Sequence, residues 1–195
     1  KAKEKDGAKI FERYLARLEK SKAYGLMDNC VADIHENETV VAGTNKSFAD
    51  IERTLYTEDL FPGTDMTGKP RHVQFAEALL REARVPDEIC QVAQEVRVAL
   101  DEVKSIKTKN GTRLMDIVAH PETPMFTRLQ LQDKLIWPRV EKLLEEDMKD
   151  DEQSKKGKPK SDTSSEGDKP KNGKGKPDPN ERFKDAYADA EKRNP

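Results

Sequence analysis

The amino-acid sequence predicts a mainly α-helical protein: an irregular multi-helix domain, followed by a disordered charged tail with a short C-terminal helix. Through the first three quarters of the chain, apolar residues recur every three or four positions, which is the spacing of a buried helix face. The 195 residues are 34% hydrophobic and 38% charged, whereas average globular chains are about 45–50% apolar. Because the last quarter has few large apolar residues, we place the folded domain at residues 5–148, a linker at 149–177 and the terminal helix at 178–195.

The first half of the predicted domain contains two segments with helical spacing. One spans about residues 6–22, where apolar side chains form a single stripe. The other begins at Ser47 with a capping box in which Asp50 replaces the usual glutamate. Between them, residues 39–41 are the only strand-like stretch, and three residues do not make a sheet.

The middle of the domain predicts two helices that meet at Pro86. The first covers about residues 73–83 and ends before Pro86, since the residue preceding a proline is pushed out of the helical conformation. Pro86 suits the first position of the next helix, which we extend to about residue 103.

Asn110 and Gly111 are a strong turn signal with two interpretations. They can end a helix, or they can form a type I′ hairpin between residues 106–108 and 112–114. We favour the helix end, because residues 114–118 resume a helical spacing.

The last folded segment, residues 127–148, contains Pro138 and the only tryptophan, Trp137. A proline inside a helix removes one hydrogen bond and clashes with the preceding turn, so we expect a kink or a new helix near Pro138. A lone tryptophan is more often core than surface, and we keep Trp137 only as a secondary partner-binding candidate. Two loops, residues 61–70 and 120–126, are further candidates for binding.

The charge distribution separates the domain from the tail. Residues 1–150 carry 24 basic and 28 acidic side chains, a net charge of −4, and residues 151–195 carry 12 basic and 10 acidic ones, a net charge of +2. Eight lysines of the tail can neutralise phosphates, which predicts salt-sensitive nucleic-acid binding as an alternative to a simple spacer. They are Lys155, Lys156, Lys158, Lys160, Lys169, Lys171, Lys174 and Lys176.

The extreme C-terminus predicts a recruitment helix. Residues 178–181 read Asp-Pro-Asn-Glu, which is typical of a capped helix start. Behind them, Phe183, Ala186, Tyr187 and Ala190 lie on one stripe. Because so short a helix is marginal in water, we expect it to fold in the groove of a protein partner, with the two aromatic side chains as anchors.

A metal-dependent hydrolase is the third interpretation. Asp33, His35 and Glu36 are close in sequence, and His72 or His120 can complete a cation site from elsewhere in the fold. In extended backbone Asp33 and His35 share one face, but position 39 is threonine, so the His-Glu-x-x-His motif is incomplete.

Cys30 and Cys90 stand sixty residues apart, without the ladder of spacings that a disulfide framework needs. We expect both to be buried as small apolar side chains, in an intracellular protein of the cytoplasm or nucleus. No apolar run approaches the roughly 18–20 residues that span a bilayer, so no membrane partner is expected.

Together these features predict a non-enzymatic protein–protein interaction or scaffold module whose tail recruits a protein partner. The alternatives are a viral or chromosomal nucleic-acid-associated protein that uses the lysine-rich tail, and the hydrolase around His35. No complete nucleotide-binding or serine-hydrolase motif occurs, and no cofactor is expected.

Overall fold

The computed structural model of the chain describes residues 2–44 and 46–156, and the predicted mainly α-helical class is confirmed. The α-helices are α1 (Ala2–Lys20), α2 (Lys22–Ala42), α3 (Lys46–Thr54), α4 (Arg71–Arg84), α5 (Gln94–Ser105), α6 (Leu114–Ala119), α7 (Met125–Leu131) and α8 (Trp137–Lys156). Two π-helices, Leu55–Leu60 and Gln132–Ile136, follow α3 and α7.

The chain divides into two compact units, Lys1–Asp147 and Met148–Pro195. In the second unit the structure describes only residues 148–156, which continue α8. The prediction that the linker begins at residue 149 was therefore wrong for its first residues, because they are helical to Lys156. The rest of the predicted linker and the terminal helix lie outside the described residues. Within the described ranges, no helix is long and apolar enough to cross a membrane.

Helix α2 was missed at the sequence level, where residues 39–41 were read as strand-like and Asp33 and His35 as extended. The core face of α2 consists of Tyr24, Met27 and Val31, together with Ile34, at helical spacing. Polar residues between these positions obscured the pattern. Ser21 is the N-cap of this helix. Its side-chain oxygen accepts a hydrogen bond from the Tyr24 backbone N–H, which has no acceptor within the helix.

Helix α4 ends at Arg84, one residue before Val85 and Pro86, as the proline predicted. The prediction that the next helix begins at Pro86 was wrong, because α5 begins only at Gln94. In the intervening loop the Gln91 N–H donates to the Thr64 carbonyl, and the Ala93 N–H donates to the buried Gln74 side chain. Because these distant acceptors bind the backbone N–H groups of Gln91 and Ala93, those groups do not require acceptors within a helix.

The turn at Asn110 and Gly111 resembles the hairpin alternative, so the favoured helix end was wrong. Helix α5 has already ended at Ser105. The Thr108 N–H donates to the Thr112 carbonyl at 2.9 Å, and Gly111 has a φ of +86°, which glycine adopts without steric cost.

The expected break near Pro138 is confirmed. Helix α8 begins at Trp137, directly after the Gln132–Ile136 π-helix. Pro138 has no N–H to donate to the preceding turn, and the regular α-helical hydrogen-bonding pattern is interrupted by the π-helical segment directly before α8. Trp137 is only 3% exposed, and its ring packs edge-on against Tyr24 with centroids 5.0 Å apart. Its side chain therefore belongs to the core and is not a surface anchor.

The first turn of α4 is capped by Asp147, the last residue of the first compact unit. Pro70 precedes the helix and offers no side-chain cap. Instead the Asp147 carboxylate accepts the backbone N–H groups of Arg71 (3.1 Å) and His72 (3.2 Å), and it also contacts the His72 ring nitrogen Nδ1 at 2.8 Å. Burial alone raises the pKa of Asp147, but these hydrogen bonds outweigh it and lower the pKa.

Replacing Asp147 with alanine should lower the free energy of unfolding by about 1–2 kcal/mol, the usual cost of losing an N-cap. The difference should be present above pH about 4, the ordinary aspartate pKa. It should shrink as the pH falls through the lowered pKa of the folded state, since both states are then protonated. Urea unfolding at several pH values measures it, with Glu145→Ala on the exposed side of α8 as the control. Equal effects of the two substitutions would contradict the capping role.

Candidate binding cleft

The described part of the chain contains a cleft of about 560 Å³ between α2, α4, α5 and α6. The loop after α4 and the loop after α6 complete its wall, and the second of these is the 120–126 loop proposed from the sequence. A volume of this size falls within the roughly 300–1,000 Å³ typical of ligand pockets.

The floor of the cleft is apolar. Ile34 from α2 and Leu79 from α4 are each about 1% exposed, and Ala83, Met115 and Ala119 are partly buried around them. Ile89, in the loop after α4, lines the same cleft but is 70% exposed. Because Ile34 and Leu79 are almost completely buried, the accessible apolar surface of the cleft lies at its partly buried residues and at Ile89.

The wall of the cleft is organised by the buried carboxylate of Glu82, whose side chain is 4% exposed. This carboxylate accepts hydrogen bonds from the Cys90 backbone N–H (2.9 Å), from Arg97 (2.7 and 3.2 Å) and from Lys104. Burial alone raises the pKa of Glu82, but the hydrogen bonds from Arg97 and Lys104 outweigh it and lower the pKa to about 2. Glu82 is therefore ionised at neutral pH, and its lone pairs are occupied.

Arg84 forms the opposite wall and is also turned inward, with its side chain 6% exposed. Its guanidinium donates to the Ile34 carbonyl at 3.2 Å and to the Glu38 carboxylate at 3.3 Å, and it lies 3.8 Å from Glu52. Burial raises the pKa of Glu52, while Arg84 opposes the change. This arginine consequently ties α2, α3 and α4 together behind the cleft.

The loop that carries Ile89 is held by two arginines. Arg81 is 1% exposed and binds Glu88 at 2.7 Å. Arg53 from α3 binds Asp87 through two hydrogen bonds of 2.6 and 2.9 Å and reaches Glu88 at 3.1 Å. Asp87 and Glu88, which precede Ile89, are anchored in this way, and the Cys90 N–H that follows it donates to Glu82, so the backbone on both sides of Ile89 is held.

Both cysteines are buried and free, as predicted. Burial raises the pKa of the Cys30 thiol and of the Cys90 thiol. Each therefore stays a neutral thiol at physiological pH and is not poised as a nucleophile.

The residues proposed for a metal site are not brought together. Asp33, His35 and Glu36 lie on helix α2, where the extended backbone assumed for them is replaced by helix. His72 contacts Asp147, and His120 lines the cleft. Within residues 2–44 and 46–156, no group of three His, Cys, Asp or Glu side chains is placed to hold a metal ion.

The other candidates fall at or beyond the end of the described chain. Lys155 and Lys156 are the last residues of α8. The remaining tail lysines lie outside the described residues, as do the four members of the C-terminal stripe, Phe183, Ala186, Tyr187 and Ala190.

The sequence contains a pattern of charged residues that indicates the wall of the cleft. Glu82 lies three residues after Leu79, so a charged residue interrupts the apolar face of α4. Arg97 and Lys104 are seven residues apart and so share one face of α5. This pattern predicts ion pairs between Glu82 and the two cations only when α4 and α5 are known to be neighbours.

Comparison of the chain with models of protein families, with curated proteins and with solved structures finds no match.

Replacing Glu82 with glutamine should lower the free energy of unfolding by about 2–4 kcal/mol, because Arg97 and Lys104 lose a shared buried counter-charge. The folded state keeps Glu82 ionised down to pH about 2, whereas the unfolded chain takes up the proton near 4.5. The wild-type advantage should therefore be complete above pH 4.5 and decline toward pH 2.

Thermal and urea unfolding across this pH range measure the effect. Glu102→Gln on α5 is the matched control, since its ion pair with Arg139 is exposed and should contribute less than about 1 kcal/mol. A Glu82→Gln protein as stable as this control at neutral pH would show that Glu82 does not organise the wall.

Proposed function

We propose that this chain is a protein-interaction module whose cleft binds apolar side chains of a partner segment. The observation that carries the proposal is the combination of an accessible apolar side chain at the mouth, Ile89, with a wall whose buried charges already have ion-pair partners. Such a surface favours burial of uncharged side chains, because no buried charge has to be newly paired or desolvated.

The form of the cleft supports a segment of a larger partner as its occupant. Ile89 is 70% exposed, and Asp101, on the α5 side of the mouth, has 64% of its side chain exposed. These accessible residues at the mouth can contact the partner's chain on either side of a side chain that the partner inserts into the cleft. A helix that lies in a groove and inserts residues at three- and four-residue spacing uses this arrangement.

The tail supplies a second, separate binding element in this proposal. Residues 178–195 carry the apolar stripe of Phe183 and Tyr187 behind a helix-start sequence, and residues 157–177, rich in lysine, glycine and proline, connect them to α8. Two binding elements on one chain raise the local concentration of one partner near the other. The module therefore brings two proteins together.

Replacing Ile89 with serine should lower the affinity for the partner segment bound in the cleft by roughly tenfold. Burying an isoleucine side chain at the interface stabilises the complex by about 1.5–3 kcal/mol. The fold should be unaffected, because Ile89 is already 70% exposed. Val98→Ser on α5 is the matched control, being 52% exposed and outside the cleft. Affinity purification with quantitative comparison of the wild type and both variants measures the loss. Equal recovery with Ile89→Ser and Val98→Ser would argue against the cleft as the binding surface.

Deleting residues 178–195 should remove one interaction and leave the cleft-dependent interaction intact. The melting temperature of the remaining chain should stay within about 2 °C, because the deletion should not touch the domain core. Differential scanning calorimetry and the same purification test both points. A large drop in melting temperature would show that the segment is part of the core and not a recruitment element.

A further inference from the structure

We infer that helix α1 exchanges between two copies of this chain. In the resulting dimer each α1 packs on the body of the other copy, and α1 and α2 of one chain form a single continuous helix. The inference goes beyond the proposed function, since it concerns a contact outside the cleft. It follows from the connection between α1 and α2, from the shallow packing of α1, and from how closely the surface under α1 fits α1 itself.

The connection between α1 and α2 is a single residue, Ser21, whose backbone is extended (φ −139°, ψ 111°). Helical hydrogen bonds resume directly on each side of it. The Ser21 N–H donates to the Arg17 carbonyl at 2.9 Å, and the Gly25 N–H donates to the Ser21 carbonyl at 3.2 Å. Rotation of the Ser21 backbone into the helical region therefore joins both helices into one over residues 2–42, roughly 60 Å long.

The two helices form a hairpin with an unusually short connection. Leu18 packs against Gly25, and the Tyr14 hydroxyl donates to the Asp28 carboxylate at 2.8 Å, so the helices run antiparallel. Antiparallel helices are usually joined by about two to five residues. A continuous helix gives the N–H groups of residues 22–24 acceptors in the last turn of α1, which a helix start lacks. The exchanged form therefore gains regular hydrogen bonds at the junction and keeps the contacts of α1.

Helix α1 packs on the domain with modest burial. Among residues 7–20 no side chain is fully buried in the apolar core, and Tyr14 and Leu18 are only partly buried against it. Phe11 is 39% exposed and Leu15 is 48% exposed. Local opening of a protein requires less free energy where few apolar contacts are buried. Helix α1 can therefore detach while the core of the domain stays folded.

The surface under α1 is complementary to the polar side chains of α1. Asp28 accepts the hydrogen bond from Tyr14. Arg17 binds Asp133 at 2.6 Å, and its guanidinium lies 5.8 Å from the centre of the Trp137 ring, within cation–π distance. Two polar contacts of α1 thus have acceptors at defined positions on the body of the domain.

Phe126 adds a requirement for glycine on the helix that packs there. Its ring lies 3.3 Å from the position that a Cβ at Gly7 would occupy, which is closer than an ordinary van der Waals contact. A helix with a larger residue at this position has to displace the ring. The α1 of a second copy meets this requirement together with both polar contacts, so a second copy is the occupant that the surface fits. Exchange of an identical element between protomers is a general route to dimers.

The exchange leaves the cleft intact, because the residues that line the cleft begin at Ile34. Each dimer therefore presents two complete clefts. A partner that contains repeated segments gains avidity from two linked sites wherever the geometry allows both to be occupied.

Two substitutions at Ser21 test the connection. Ser21→Ala removes the cap of α2 and places the best helix former at the junction, whereas Ser21→Gly keeps a tolerated cap residue and disfavours a helix interior. The dimer dissociation constant should be at least about a hundredfold lower for Ser21→Ala than for Ser21→Gly, since each of the two chains contributes roughly tenfold. Size-exclusion chromatography with light scattering measures it on the full chain from about 5 to about 500 µM. The wild type should lie between the two variants.

A pair of charge reversals tests whether α1 is the exchanged element. Arg17→Glu and Asp133→Arg each place like charges at the same contact within one chain. In a mixed dimer, exchange matches both contacts: the introduced glutamate meets the introduced arginine, and the unchanged Arg17 meets the unchanged Asp133. Native mass spectrometry of mass-labelled chains should show the mixed dimer at least about fivefold more abundant than either homodimer.

The double variant, Arg17→Glu with Asp133→Arg, is the matched control. It restores the contact within its own sequence, so it should dimerise like the wild type. It should also avoid mixed dimers with the wild type, because exchange then creates two contacts of like charge. Ile89→Ser, in the cleft, should leave all these proportions unchanged, so failure of the cleft and failure of the exchange are distinguishable.

Two results would overturn the inference. If Ser21→Ala and Ser21→Gly have the same molar mass at every concentration, the connection does not control association. If mixing the two charge-reversed variants gives no excess of the mixed dimer over the statistical proportion, α1 is not the exchanged element. A mixed dimer in excess, with association strongest for Ser21→Ala and weakest for Ser21→Gly, supports the exchange.

Discussion

The buried carboxylate of Glu82 is the interaction on which the cleft depends. It joins α4 to the loop at Cys90 and to two cations of α5, and these partners are eight, fifteen and twenty-two residues away in the chain. A carboxylate that loses its water is tolerable only when its lone pairs are all used, and a partly satisfied buried network is worse than an apolar one. The relative position of α4 and α5 is therefore specified by hydrogen-bond geometry as well as by apolar packing.

That same network changes the electrostatic character of the surface above it. Arg97 and Lys104 both bind Glu82, and because one carboxylate neutralises only one of them, Asp101 beside Arg97 balances the remaining positive charge. Ion pairs at Arg81 and Arg84 act similarly around the neighbouring loop, where Ile89 remains accessible. The charge distribution at this surface is thus a consequence of how the interior satisfies its polar groups.

Local patterns predicted the parts of the fold that local physics determines. Helix α4 was predicted because its apolar residues repeat cleanly, and the break at Pro138 because a proline has no donor. The late start of α5 was not predictable, since Gln91 and Ala93 find backbone partners in remote segments. The cleft was missed for the same reason: its wall requires a contact between α4 and α5 that no periodicity shows.

The cap on α4 has a consequence for where this protein can be shortened. Asp147 closes the compact first unit, and its carboxylate holds a helix start more than seventy residues earlier in the chain. Expression of a minimal fragment should therefore include this aspartate, although the last core residues of α8, Leu143 and Leu144, precede it. A boundary drawn directly after the last core leucine of α8 would remove a polar residue that the start of α4 uses.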